Sequence, residues 1–161
     1  MKKIICLTIS FTLLIYINAC TGYEPIFSTK NLQLEIGDYS IKGNKILGKQ
    51  IYAKLYNLLK SNNNNPAAQS INISIEVLKD KTAQVKNSVG KILEYKVSIT
   101  TNVEISDFLT NDQILSHTFT YSSLYKVEDQ YSETIKLENK IIENLINKTY
   151  QNLLIKIIEV R

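Results

Sequence analysis

The sequence predicts an α+β fold: a small mixed or antiparallel sheet of about four strands, built on one long hairpin and covered by two helices. Two observations carry this. Apolar residues alternate through 71–77 and again through 93–105, on either side of Gly90. That period of two belongs to strands with one face buried and one face wet. Apolar residues at helical spacing then occupy 51–59 and 135–158. Stripes of this kind need a partner surface, and the sheet is the obvious one.

The elements follow in chain order. In "NLQLEI", Leu32, Leu34 and Ile36 alternate and predict a short first strand, with Gly37 and Gly43 bracketing a turn region. From Gly48, "GKQIYAKLYNLLK" places Ile51, Leu55, Leu58 and Leu59 at i, i+4, i+7 and i+8, one stripe of a helix. Lys60 suits its C-terminal partial charge. "SNNNNPAAQS" is a solvated loop. Ile71, Ile73, Ile75 and Val77 share one strand face, and 79–87 extends that strand outward as a polar arm. The return arm sets Leu93, Tyr95, Val97, Ile99, Thr101, Val103 and Ile105 on one face. After a turn at "DFLTNDQ", a further strand carries Leu115, His117, Phe119 and Tyr121. The last helix has a stripe from Ile135 through Ile141, Ile142, Leu145, Ile146, Tyr150, Leu153, Leu154 and Ile157 to Ile158. Its apolar pairs advance by four residues, so the stripe winds by about 40° per step. No internal repeat is visible.

The chain is expected to form one domain over 31–161, preceded by segments of another kind. Met1-Lys2-Lys3 leads into an uncharged, mostly apolar run, Ile4 to Ile17, ending near small Ala19. That is the layout of a secretory signal peptide over 1–19, and it falls short of the roughly 20 residues a membrane-spanning helix needs. Ile17-Asn18-Ala19-Cys20 resembles a lipobox, which makes Cys20 the lipidation site and residues 20–30 a lipidated cysteine and tether. A single acyl chain binds a membrane marginally; the three of a bacterial lipoprotein cysteine make a firm anchor. Thr21, where aspartate would signal retention at the inner membrane, favours an outer-membrane location on the periplasmic side. Cys6 leaves with the signal and Cys20 is acylated, so the domain keeps no thiol for a disulfide or a metal.

Loss of Lys2 and Lys3 lowers the formal charge from +4 to +2, too little to suggest a nucleic-acid partner. His117 is the sole histidine, and without a thiol or a second histidine no Cys/His zinc site can form. No phosphate loop and no ordered nucleophile–base–acid set can be named, so the protein is not expected to be an enzyme and no cofactor is expected. Tyrosines such as Tyr52, Tyr56, Tyr95 and Tyr125 suit either a half-wet interface or a core without tryptophan.

Three ordered pieces carry a family resemblance. "CTGYEPIF" follows the cysteine closely with a glycine, an aromatic residue and a proline; "GKQIYAKLYNLLK" supplies the first helix; and "GKILEYKVSITTNVEI" sets Gly90, Glu94, Tyr95 and Asn102 in one hairpin arm. In these pieces and their order the chain resembles the LPS-assembly lipoprotein LptE family. Thr21 is one residue more than the family places between cysteine and glycine. The resemblance implies a non-enzymatic partner of an LptD-like outer-membrane β-barrel, plugging and supporting that barrel for lipopolysaccharide insertion into the outer leaflet. Lys79, Lys81, Lys86 and Lys91 flank the hairpin turn with Asp80 as the only acid among them. They are either a solvated strand end or, with Lys86 and Lys91 as the candidates, a lipopolysaccharide contact. Two rival roles are a periplasmic lipid-carrier auxiliary with an apolar cavity, and a lipoprotein activator of a cell-wall enzyme.

Overall fold

A computed structural model describes residues 34–61 and 68–160. The expected signal peptide, Cys20, the expected tether, Leu32 and most of the asparagine loop lie outside the described residues. The elements are β1 (Leu34–Gly43), α1 (Lys45–Ser61), β2 (Gln69–Lys86), β3 (Ile92–Asp107), β4 (Gln113–Lys126) and α2 (Tyr131–Glu159). They form an open four-stranded sheet in the order β1-β2-β3-β4. β1 pairs with β2 in parallel, and the other two pairings are antiparallel. The α+β architecture with two helices on one sheet face therefore stands. No helix among the described residues is long and apolar enough to cross a membrane.

The region between Gly37 and Gly43 is a correction. It continues β1 rather than forming a turn, because Tyr39 and Ile41 carry the alternation onward opposite Ile73 and Ile75. Gly37 falls where the β1–β2 register shifts, between Ile36 and Asp38. The turn comes at Gly43, whose φ of 69° is open to glycine at low cost. Helix α1 then begins at Lys45, earlier than Gly48, with the Asn44 side chain accepting the Leu47 N–H at 3.2 Å as an N-cap. Gly48 sits inside the helix because a Cβ there would press on Ile41. Parallel strands need a crossover of a dozen or more residues, and α1 is that crossover.

Helices and sheet meet in one core. Ile71, Ile73, Ile75 and Val77 of β2 and Val97, Ile99, Val103 and Ile105 of β3 are buried under Ile51, Leu55 and Leu59 of α1. Helix α2 adds Ile142, Leu145, Ile146, Leu153, Leu154 and Ile157. Each such side chain contributes roughly 1.5–3 kcal/mol by leaving water. The buried face of α2 differs from the predicted stripe. It takes in Thr134, Glu138 and Thr149, while Ile158 is left 45% exposed. β4 also runs on past Tyr121 to Lys126, burying Tyr125.

Candidate functional site: the β2–β3 hairpin and its root

Hairpin β2–β3 is longer than the layer that covers it. β4 reaches along β3 only as far as the Glu94–Lys126 pair. Past that level Val127 N–H still donates to the Leu93 carbonyl, and only the Lys86–Ile92 pair and the turn stand beyond it. The turn is closed by Gly90 N–H donating to the Asn87 carbonyl at 3.0 Å, with Gly90 at φ 82°. The Asn87 side chain locks it further by accepting the N–H groups of Val89 and Lys91.

At the root, β2 turns Lys79 and Lys81 toward α2 instead of into solvent. Lys79 Nζ lies 2.8 Å from Glu138 Oε1, and Lys81 Nζ lies 2.6 Å from Glu138 Oε2. Tyr125 O–H donates to the same Oε2 at 2.7 Å. Lys81 also stands over the Tyr95 ring, 4.3 Å from its centroid, and Tyr95 stacks on Tyr125. Burial works to raise the Glu138 pKa, but the hydrogen bonds from Lys79, Lys81 and Tyr125 outweigh it and hold the carboxyl down to about 2. Burial also opposes the Lys81 charge, yet its bond to Glu138 raises its pKa above the ordinary lysine value. Near neutral pH both groups are locked in their charged forms. The cluster is a clamp between hairpin and helix, not an acid–base pair.

This revises the four tip lysines. Lys79 and Lys81 are committed to an acid that comes from α2, 57 residues or more away along the chain. Lys86 and Lys91 alone keep ammonium groups without a hydrogen-bond or ion-pair partner among the described residues. They share the tip with apolar groups that nothing described covers: Val85 and Leu93, each 42% exposed, and Val89, 82% exposed. A cationic, apolar tip of this kind suits the headgroup level of an anionic lipid layer.

The clamp left a faint signal in the sequence. Thr134, Glu138 and Ile142 recur every four residues, so Glu138 belongs to the buried stripe, and a buried carboxylate requires a cationic partner. Which cation it meets depends on how α2 crosses the sheet.

The remaining candidates have packing roles. His117 meets Phe119 edge-on at 4.6 Å. Tyr39, Tyr52 and Tyr56 stack in series beside β1, with Lys60 over the last ring. Among the described residues no group of three or more His, Cys, Asp or Glu side chains is placed to hold a metal ion. Asp107 organises the β3–β4 turn. A bond from Gln69, backed by the N–H groups of Thr110 and Leu109, lowers its pKa to about 2.

The same layout is found in solved lipoprotein structures. Rare lipoprotein B from Shewanella oneidensis superposes with a TM-score of 0.53 at 11% identity, over 76% of this chain and 94% of that one. A lipoprotein B from Nitrosomonas europaea gives 0.54 at 13% identity, covering 76% and 83%. A minor lipoprotein from Acinetobacter baumannii gives 0.52 at 15% identity, covering 77% and 92%. The likeness is one of fold. No protein-family model matches the chain, and no curated protein does.

Proposed function

We propose that this protein is an outer-membrane lipoprotein of the LptE type, anchored through Cys20 on the periplasmic side and seated in an LptD-like β-barrel. Its role is non-enzymatic: it plugs the barrel, supports its assembly and assists lipopolysaccharide insertion. The observation that supports this most is the fold shared with bacterial lipoproteins over most of their length, carried by a chain whose Ile17–Cys20 stretch resembles a lipobox.

Interior packing favours a plug over a lipid carrier. The apolar cavity near Leu34, lined by Ile71, Ile105 and Ile157 among others, holds about 160 Å³. A pocket for a lipid or a drug-sized ligand takes roughly 300–1,000 Å³. A larger cleft of about 650 Å³ lies between α1 and α2, but it is an open surface in which Ile46, Leu47 and Ile142 are mixed with Lys54, Lys79 and Glu143, not an enclosed apolar cavity.

Affinity capture of the lipidated protein from outer membranes tests the reading. Co-purification of a large β-barrel is expected; its repeated absence with the lipoprotein intact would overturn the proposal. The tip is tested separately. Lys86→Glu with Lys91→Glu is expected to weaken lipopolysaccharide binding several-fold while barrel recovery persists. Unchanged binding would remove the tip from the mechanism.

A further inference from the structure

The two edges of the sheet are built differently. β1 and β4 are its outer strands. An edge strand presents a row of unpaired N–H and C=O groups, which proteins blunt with charges, proline, bulges or short length. β1 carries such devices. Its ten residues include Glu35, Asp38 and Lys42, and its pairing with β2 shifts register between Ile36 and Asp38.

β4 carries none of them from Leu115 to Tyr125. That run, "LSHTFTYSSLY", has no Asp, Glu, Lys, Arg, Gly or Pro. It extends over about 37 Å. Its pairing with β3 is regular throughout, because the one register shift lies outside it, between Ile105 and Ser106 of β3. Lys126 follows the run and ends the strand. Among the described residues, β3 supplies the only backbone hydrogen bonds to these residues. The one side-chain bond to their main chain is weak, from the Ser123 hydroxyl to the Leu124 carbonyl at 3.5 Å. The outward row of donors and acceptors is therefore open.

The run is also complementary to itself. Its midpoint is Thr120. An antiparallel copy related by a two-fold axis at Thr120, perpendicular to the sheet, sets Phe119 opposite Tyr121 of the second copy. It sets Thr118 opposite Ser122, and Thr120 opposite itself. Aromatic pairs and Thr–Thr or Thr–Ser pairs are favoured neighbours across an antiparallel ladder. The same operation keeps the pleat, so buried Leu115, Phe119 and Tyr125 stay on the helix-covered side in both copies. Charge does not oppose it. The two Lys126 side chains fall at opposite ends, about 41 Å apart, well beyond the Debye length of about 8 Å. A strand from another protein would need no such symmetry about Thr120.

We propose that β4 pairs with β4 of a second copy of this chain, antiparallel about Thr120, joining two four-stranded sheets into one with both helical layers on the same side. The pairing does not rest on the barrel reading and does not use Lys86 or Lys91.

The test is disulfide cross-linking of the full chain in the membranes that hold it, with single cysteines introduced into β4 and the parent chain as the control for Cys6 and Cys20. A disulfide needs Cα atoms within about 7 Å. Thr120→Cys should give a covalent dimer under mild oxidation. Thr118→Cys alone should not, since its two copies stand about 14 Å apart along the ladder. Co-expressed with Ser122→Cys, it should. Sedimentation in detergent micelles gives a second readout. Thr120→Lys sets like charges against each other at the axis and should weaken the dimer at least about tenfold, while circular dichroism shows the fold retained. Mixing it with Thr120→Glu should restore the dimer. The proposal is overturned if Thr120→Cys stays monomeric, if Ser40→Cys on β1 cross-links equally well, or if Thr120→Cys is captured by a different protein instead.

Discussion

Glu138 shows how one side chain can tie two distant elements. Its carboxylate receives two ammonium groups and a phenol while 7% exposed. Glu138→Gln leaves Lys79 and Lys81 facing each other without a counter-charge, and should cost about 3 kcal/mol in chemical denaturation. The pH dependence has a definite sign. Glu138's folded pKa, about 2, lies below its ordinary 4.5. The stabilisation is therefore complete above about pH 4.5 and is lost as pH falls toward about 2. Stability curves across that window should fall steeply for the parent protein and more gently for Glu138→Gln. Thr101 is a case with the opposite sign. It is fully buried and its hydroxyl has no partner. Thr101→Val removes that group at nearly constant shape, so a gain of about 1 kcal/mol is expected in the same assay. The two positive-φ glycines should separate cleanly. A Cβ at Gly90 meets open space, so alanine there costs only about 1 kcal/mol of backbone strain. At Gly43 the Cβ would collide with the Val77 carbonyl, and Gly43→Ala should destabilise the protein several-fold more.

Among the elements, β2 divides into a core half and an outer half, which α2 holds through Lys79 and Lys81 so that only the tip is free. From Gln69 to Val77, β2 alternates between buried and more exposed positions and holds the core; from Leu78 to Lys86 every residue is exposed. Replacing 85–92 by an Asn-Gly turn should leave thermal unfolding within a few degrees of the parent, because little apolar burial is lost. If the melting temperature collapsed instead, the overhang would be part of the fold. Legibility in the sequence follows the same division. The strands at 71–77 and 97–105 were readable because each has one dry face and one wet face, which writes a strict period of two. β1 was read short because Gly37 and Gly43 look like punctuation, and a bulge tolerates glycine as readily as a turn does. In α2 the winding apolar stripe pointed at Ile158, yet a straight helix can press only one side on a sheet, and Thr149 and Glu138 occupy it instead.

At the scale of the molecule, the described residues form an open sheet with a hydrophobic layer on one side and hydroxyl-rich strands on the other. Its core takes buried side chains from all four strands and both helices, and the lysines that remain unpaired lie at the hairpin tip. If Cys20 carries the anchor, Cys20→Ser should move the protein from the membrane fraction to the soluble fraction, since the acyl chains hold it there. Recovery of Cys20→Ser in the membrane fraction, undiminished, would mean that another surface holds the protein at the bilayer.

Residue order by itself determined the strand and helix content, the single covered sheet face and the absence of any thiol for the domain. These depend on local periodicity and on counting, which need no knowledge of distant contacts. Tertiary structure decided which charges are free. Four lysines looked equivalent along the hairpin, and only the crossing of α2 over the sheet brought Glu138 to two of them and left two without a counter-charge. It also set Asp38, Asn72, Ser106 and Gln113 side by side, because they come from four strands and meet only through register. Pairing across a sheet is set by backbone hydrogen bonds between distant segments, and no local pattern in the chain encodes it.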